Sequence, residues 1–228
     1  MQHYPKINSI YRRDMALKGA PVIVGEYAQP EFAYLADNIW VWSEKVDGTS
    51  ICVGRTGNGF SYGGHTDNAQ IPAFLWARLY DIFEGEGMEE RYLNQFGTDT
   101  DEADITLFGE GYGARIGKGG GKYKADGVDF VLFDVQVGDW WLKREDVEDV
   151  ARNLGLDAVP IIGEGTLEQA TELCRAGFKS QWGDFMAEGL VLRPKVELKT
   201  RAGHRIITKL KHKDFIHVQG GANVGAEI

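Results

Sequence analysis

The stretch Trp40-Val-Trp-Ser-Glu-Lys-Val-Asp-Gly-Thr-Ser50 decides how this chain is read. Its first half alternates aromatic and β-branched residues with others, the period-two pattern of a strand. Asp47-Gly48 then signals a turn ahead of a second apolar run, Ile51-Cys-Val53. Lys45 therefore falls where a strand gives way to a turn, a rigid mount for a reactive side chain. Lys-x-Asp-Gly is a short pattern. Alone it describes only a surface lysine beside a hairpin, and its meaning depends on what accompanies it.

Working outward, strands are expected at about 39–45 and 50–55, with a Gly-rich hairpin over Thr56–His65 and a short strand at Val22-Ile-Val24. Ile71 to Phe83 carries apolar residues at helical spacing (Ile71, Phe74, Leu75, Leu79, Ile82), and a second helix is expected over Met88–Phe96. Strand signals return at Ile105–Phe108 and Asp129–Val137. Between them Gly113–Lys124, rich in glycine and lysine, reads as a mobile loop. Helices follow at Arg144–Leu154 and Leu167–Ala176, the second preceded by Thr166 with Gln169 three residues on, the pattern of a capping box. Strands at Gly189–Arg193 and His204–Lys211 close the series. Strands make the frame and helices enter as insertions, so the class is α+β with mainly antiparallel sheets, expected as one compact domain over residues 1–228.

Composition narrows the setting. Hydrophobic residues make up 43% of the 228, which suits a folded protein rather than a disordered one. Cys52 and Cys174 stand far apart in no metal-ligand spacing, so they read as small buried hydrophobes in a reducing compartment. No apolar stretch is long enough to span a bilayer and the start of the chain lacks a signal pattern, so a soluble, cytoplasmic protein is expected. The net charge of −9 argues against a surface that binds nucleic acid everywhere. Its distribution points to a local phosphate site instead. Arg193 to Lys213 holds eight lysines and arginines against one acid, Glu197, while acids gather in Asp81–Glu90, Asp99–Asp104 and Glu145–Asp149.

Four further segments accompany the lysine, in order. Phe108-Gly-Glu-Gly-Tyr112 places a carboxylate after a strand, and Asp129-Phe-Val-Leu-Phe-Asp-Val135 is a strand with an aromatic–acid pair. Glu188-Gly-Leu-Val-Leu-Arg193 opens a strand with a carboxylate, and Ile206-Ile-Thr-Lys-Leu-Lys211 puts two lysines two residues apart, on one face. With Lys45-Val-Asp-Gly48 these segments resemble the ordered nucleotidyl motifs of the covalent nucleotidyltransferase superfamily, which holds ATP-dependent DNA and RNA ligases and mRNA capping guanylyltransferases. Lys209-Leu-Lys-His-Lys-Asp-Phe215 resembles most the RNA ligase 2 and RNA-editing ligase branch. The motifs span residues 44–215.

The resemblance implies an adenylyltransferase domain of ATP-grasp-like ligase architecture, using ATP and Mg²⁺ (or Mn²⁺). Lys45 would attack the ATP α-phosphate, AMP would pass to an RNA 5′-phosphate, and a 3′-hydroxyl would then displace it. It further implies that Glu110 holds the ribose hydroxyls or a metal water, Phe133 stacks on adenine, Glu188 binds the metal, Lys209 and Lys211 contact the α-phosphate, and Glu44 reads the adenine amino group. The residues suit that chemistry on their own terms. A lysine nucleophile must be neutral, yet at an ordinary pKa near 10.4 only about one amine in a thousand is neutral at pH 7.4. Neighbouring cations such as Lys209 and Lys211 favour the neutral form, whereas Glu44 and Asp47 oppose it.

Arg55, ten residues after the lysine, has the fork to clamp a phosphate, though its position equally suits an exposed hairpin arginine. Many relatives carry an arginine on the following strand, where this chain has Ser61-Tyr-Gly-Gly-His65; His65 is the candidate substitute. The glycine–lysine loop fails as a P-loop. Gly113 is one residue too close to Gly117-Lys118, and Gly119 replaces the required Ser or Thr. It reads instead as a basic lid toward RNA or pyrophosphate. Residues 212–228 are too few for the OB-fold that DNA ligases and capping enzymes append, which favours a minimal RNA ligase; a monomer acting in RNA repair is expected. A DNA ligase adenylation domain, a GTP-dependent guanylyltransferase and a lapsed nucleotide-binding RNA adaptor are the alternatives.

Overall fold

The computed structural model describes residues 2–17, 19–56, 59–97 and 105–216. The acidic run Asp99–Asp104 lies outside the described residues. Those of Lys6–Lys45 and Pro160–Ile228 form one compact unit, here the flanking unit; those of Met1–Pro5 and Val46–Val159 form another, the central unit.

The chain begins in the flanking unit with β1 (Asn8–Ser9), β2 (Tyr11–Arg13), β3 (Val22–Tyr27), α1 (Pro30–Tyr34) and β4 (Trp40–Glu44). In the central unit follow β5 (Thr49–Thr56), β6 (Gly59–Gly63), α2 (Ala73–Phe83), α3 (Met88–Phe96), β7 (Ile105–Gly113), α4 (Gly120–Tyr123), β8 (Val128–Val137), β9 (Trp140–Trp141) and α5 (Arg144–Leu154). The chain then returns to the flanking unit with β10 (Ile161–Gly165), α6 (Leu167–Ala176), β11 (Gly189–Pro194), β12 (Thr208–Lys211) and α7 (Lys213–Ile216). The class is α+β with mainly antiparallel sheets. Among the described residues no helix is long and apolar enough to cross a membrane.

The flanking sheet runs β1-β12-β11-β4-β10, antiparallel except where β1 joins β12. Strand alternation turns Trp40 and Trp42 of β4, Leu190 and Leu192 of β11 and Leu210 of β12 toward one core, completed by Leu167, Ala170 and Cys174 of α6. Each such side chain, when fully buried, contributes about 1.5–3 kcal/mol relative to exposure. Helix α6 starts where its sequence signals: the Thr166 hydroxyl accepts from the Gln169 N–H, and the Gln169 side chain accepts from the Thr166 N–H. Gly189 is required by close approach, since a Cβ there would collide with the Leu210 carbonyl and hold β11 off β12.

The central sheet runs β6-β5-β7-β8-β9, all antiparallel. One face carries Ile51, Val53, Leu107, Phe130, Leu132 and Val135 against Leu75, Leu79 and Phe83 of α2 and Val147, Val150 and Leu154 of α5. A bulge after Phe108 leaves Phe133 without a direct partner in the ladder, because Phe108 pairs with Asp134 and Gly109 with Leu132.

Three expectations change. Asp47-Gly48 bends the chain, but β4 and β5 do not pair: β4 lies between β10 and β11, and β5 between β6 and β7. Turn chemistry sets the bend while apolar faces choose the sheet. The segment Gly113–Lys124 is more than a loop. It contains a turn closed by Ile116 N–H to Gly113 O and the short α4, with Ile116 buried as its anchor. The last strand covers only Thr208–Lys211; Arg205, ahead of it, forms a β-bridge with Lys199 instead, and its side chain forms a salt bridge with Glu197. Cys52 and Cys174 are free and buried, as expected; burial pushes the Cys174 thiol up to about 12.

Candidate active site

In the flanking unit the ends of β4, β11 and β12 meet. The Lys45 N–H donates to Gly189 O at 2.9 Å, so the pairing of β4 with β11 runs on to the lysine. Lys211 stands opposite Gly189, and Lys209 opposite Val191, which also faces Ser43. Alternation therefore puts Lys45, Lys209 and Lys211 on one face of the sheet. Glu188, one residue before β11, completes the cluster. Its Oε2 accepts from Lys45 Nζ at 2.6 Å and its Oε1 pairs with Lys211 Nζ at 2.7 Å.

Burial alone would raise the Glu188 pKa, but Lys45 and Lys211 outweigh it and hold the carboxyl below its usual range. Lys209 is held below the ordinary lysine range, first by burial and then by Lys211 and Lys45; Arg13 adds to this and Glu188 opposes it. One carboxylate is thus set among three lysines. A cluster of that composition attracts phosphate, a polyanion, more strongly than any neutral ligand.

Glu44 goes the other way. Its side chain is 1% exposed, and its carboxylate accepts from the Ser180 hydroxyl at 2.6 Å and the Gln181 N–H at 2.9 Å. Burial pushes its pKa up, and the two hydrogen bonds only partly offset that. The structure thus separates Glu44 from Lys45, its neighbour in sequence, because consecutive strand residues point to opposite faces.

Glu110 and Phe133 belong to the central unit. Glu110 of β7 is half-buried opposite Val131 of β8, and a Cβ on Gly48 would collide with Glu110 and the Gly111 carbonyl. Phe133 meets the Tyr4 ring edge-on at 4.9 Å, and the Tyr4 hydroxyl donates to buried Asp134 at 2.8 Å. Tyr4 is a neighbour that no local sequence signal announces. Arg55 pairs with Glu89 at 2.8 Å and lies over the Tyr92 ring, while His65 is exposed after β6. A second contact missed in the sequence is Arg13, whose guanidinium grips Asp214 with two bonds, of 3.1 and 2.6 Å.

Could this chain hold a divalent cation? Among the described residues no group of three or more His, Cys, Asp or Glu could do so alone. Glu188 nevertheless suits a hard cation that shares its shell with phosphate oxygens and water, because its low pKa keeps it ionised. The donor set fits a metal carried in with a phosphate ligand.

A family model described as RNA ligase matches residues 38–211. Among solved structures, the Naegleria gruberi RNA ligase with PPi is similar at 22% identity and a TM-score of 0.61, covering 84% of this chain and 54% of that one. A lysine-to-alanine mutant of the same ligase with ATP and Mn aligns at 19% identity and a TM-score of 0.62, covering 96% of this chain and 63% of that one. A lysine-to-methionine mutant with AMP and Mn aligns at 20% identity and a TM-score of 0.60. The chain thus spans little more than half the length of the structures it matches. The search of curated proteins gave no match.

Proposed function

Because this chain belongs to the RNA ligase family, we propose that it is an ATP-dependent RNA ligase working through a lysine–AMP intermediate. The observation that carries this reading is the cluster in which Lys45 and Lys211 share the two oxygens of Glu188, with Lys209 on the same face. It supplies a nucleophile, a cationic phosphate cradle and one ionised carboxylate at the junction of three strands.

In this reading neutral Lys45 Nζ attacks the α-phosphorus of ATP, an N–P bond forms, and pyrophosphate leaves as the P–O bond breaks. Lys209 and Lys211 balance the charge on the phosphate oxygens, in a reaction where positioning and charge neutralisation do most of the work. An oxygen of the RNA 5′-phosphate next takes AMP from the lysine. Finally a 3′-hydroxyl attacks the activated end and AMP departs. Glu188, with Glu110 as a candidate through water, would hold Mg²⁺ or Mn²⁺ beside the phosphates, and the cation would supply further charge neutralisation. When Glu188 is engaged in that way, Lys45 is released from its ion pair and can turn to the phosphorus.

Glu110 is assigned to the ribose hydroxyls and Phe133 to the adenine face, a sequence-tolerant contact for a base. Arg55 is assigned to phosphate, which requires it to leave Glu89. The Glu44 side chain supports the Ser180–Gln181 turn, so its contact with adenine would be made through the main chain. We read residues 1–228 as one adenylylation domain, acting as a cytoplasmic monomer on 5′-phosphate and 3′-hydroxyl RNA ends in RNA repair. The buried, free thiols support a reducing compartment.

The test is intact mass after incubation with ATP and Mg²⁺, followed by addition of a 5′-phosphorylated RNA. One added AMP that is consumed as RNA is sealed supports the reading. A GMP adduct with no AMP adduct, or sealing of DNA nicks without RNA sealing, overturns it.

A further inference from the structure

The central unit carries a groove of about 730 Å³ between helix α2 and the segment joining β7 to β8. Phe74, Arg78 and Asp81 line it from the helix; Arg115, Lys124 and Asp126 line it from the other side, both aspartates being exposed. Arg78 and Lys124 converge on Asp129 at 3.1 and 2.7 Å. Burial would raise the Asp129 pKa, but Lys124 and Arg78 outweigh it, so the carboxylate stays charged and balances only one of the two cations.

Arg115 is unusual in its backbone. Its φ is +70°, a left-handed conformation that glycine adopts freely and that strains a residue with a side chain. The chain has glycines throughout this segment but places an arginine at that position. The strained backbone presents the guanidinium over the Phe74 ring, 5.8 Å from its centroid, at the mouth of the groove.

The next face of the same helix bears a second unexplained feature. Trp76 and Tyr80, one turn apart, are 47% and 50% exposed and stack on each other at 5.5 Å with 19° between their planes. On the helix surface only small residues, Ala73 and the groove-lining Ala77, lie between this aromatic pair and the arginine and lysine side chains of the groove. Cations beside solvent-facing rings are the two components of a single-stranded nucleic-acid surface, where phosphates follow the charge and bases stack. Lys118 and Lys122, exposed on the same segment, extend the charge.

We propose that this groove and the Trp76–Tyr80 pair form an accessory binding surface for a single-stranded segment of the RNA substrate. Arg115, Arg78 and Lys124 take the phosphates, and a base stacks on the exposed rings. The surface serves affinity rather than chemistry. This inference rests on the RNA reading above and adds to it a place where the strand lies.

Two variants test it in the full chain. Arg115→Gly removes the charge at a position whose backbone favours glycine, and Tyr80→Ala removes a ring from the surface. Binding of a 5′-phosphorylated single-stranded RNA is measured by anisotropy from low to moderate salt, with self-adenylylation by mass alongside. Both variants are expected to self-adenylylate as the parent does and to bind RNA about five- to tenfold more weakly. Arg115→Gly should lower the slope of log affinity against log salt by about one, and Tyr80→Ala should leave it unchanged. Parent-like affinity and slope in both variants would overturn the proposal, as would a parent that binds no single-stranded RNA. Loss of the AMP adduct from the parent would instead strike the ligase reading, while the binding data would still judge the groove.

Discussion

Lys45 and Glu188, separated by most of the chain, meet at 2.6 Å because β4 and β11 are neighbours in one sheet. That contact ties the proposed nucleophile to the carboxylate proposed for the metal. Lys211 holds the other oxygen of the same group.

Lys45→Ala is expected to form no AMP adduct, and Lys45→Arg to behave the same, since a guanidinium retains its proton and cannot act as the nucleophile. Intact mass after incubation with ATP reads this directly. An AMP adduct on either variant would place the nucleophile elsewhere.

Glu188→Ala leaves two half-buried ammonium groups without their shared counter-charge, and a loss of about 2–4 kcal/mol is expected along with loss of RNA sealing. The pH dependence has a fixed sign. The folded pKa of Glu188 lies below the unfolded one, so its contribution is fully present above the ordinary carboxylate range and is lost as pH falls through the lower, folded pKa. Urea unfolding across the acid range should show the parent losing more stability than Glu188→Gln.

Glu44 titrates in the opposite sense. Its folded pKa is raised, so its favourable contribution is complete below the unfolded carboxylate pKa and is lost as pH rises through the folded value. Glu44→Gln, which can still accept from Gln181 N–H, should reduce the decline in stability between mildly acid and neutral pH. Glu44→Ala should cost about 2–3 kcal/mol by leaving the Ser180 O–H and the Gln181 N–H without their acceptor. Equal pH profiles for parent and Glu44→Gln would refute the assignment.

The Arg13–Asp214 pair joins the β2 strand to the short helix that follows β12. Its two-bond geometry needs a guanidinium, so Arg13→Lys is expected to lose about 1–3 kcal/mol, nearly as much as Arg13→Ala. Thermal unfolding measures both. A fully tolerated Arg13→Lys would show the fork to be dispensable.

The helices were largely legible in the sequence because their signals are local. Met88–Phe96, Arg144–Leu154 and Leu167–Ala176 form with the expected bounds, and Thr166 with Gln169 makes the expected box. Helix α2 begins at Ala73 rather than Ile71 because Pro72 restricts the preceding residue and stands as the N-cap. The strands expected at about 39–45, 50–55, 129–137 and 189–193 form close to those bounds, whereas β10 was not expected and the last strand is shorter than His204–Lys211. Their partners could not be read in the same way, as β4 and β5 demonstrate, since a turn signal specifies a bend and says nothing of which apolar face will cover a strand.

By itself the sequence determined the α+β class, which follows from local periodicity, and the order of the motifs, whose resemblance to nucleotidyl motifs singled out Lys45, Glu188, Lys209 and Lys211 as candidates. Only the tertiary structure decided that Glu188 is shared by Lys45 and Lys211, that Glu44 faces Ser180 instead of Lys45's side of the sheet, and that Tyr4 packs on Phe133. Strand alternation is written in the chain, but the register that brings distant strands side by side is set by collective burial of their apolar faces. No local pattern encodes that free energy.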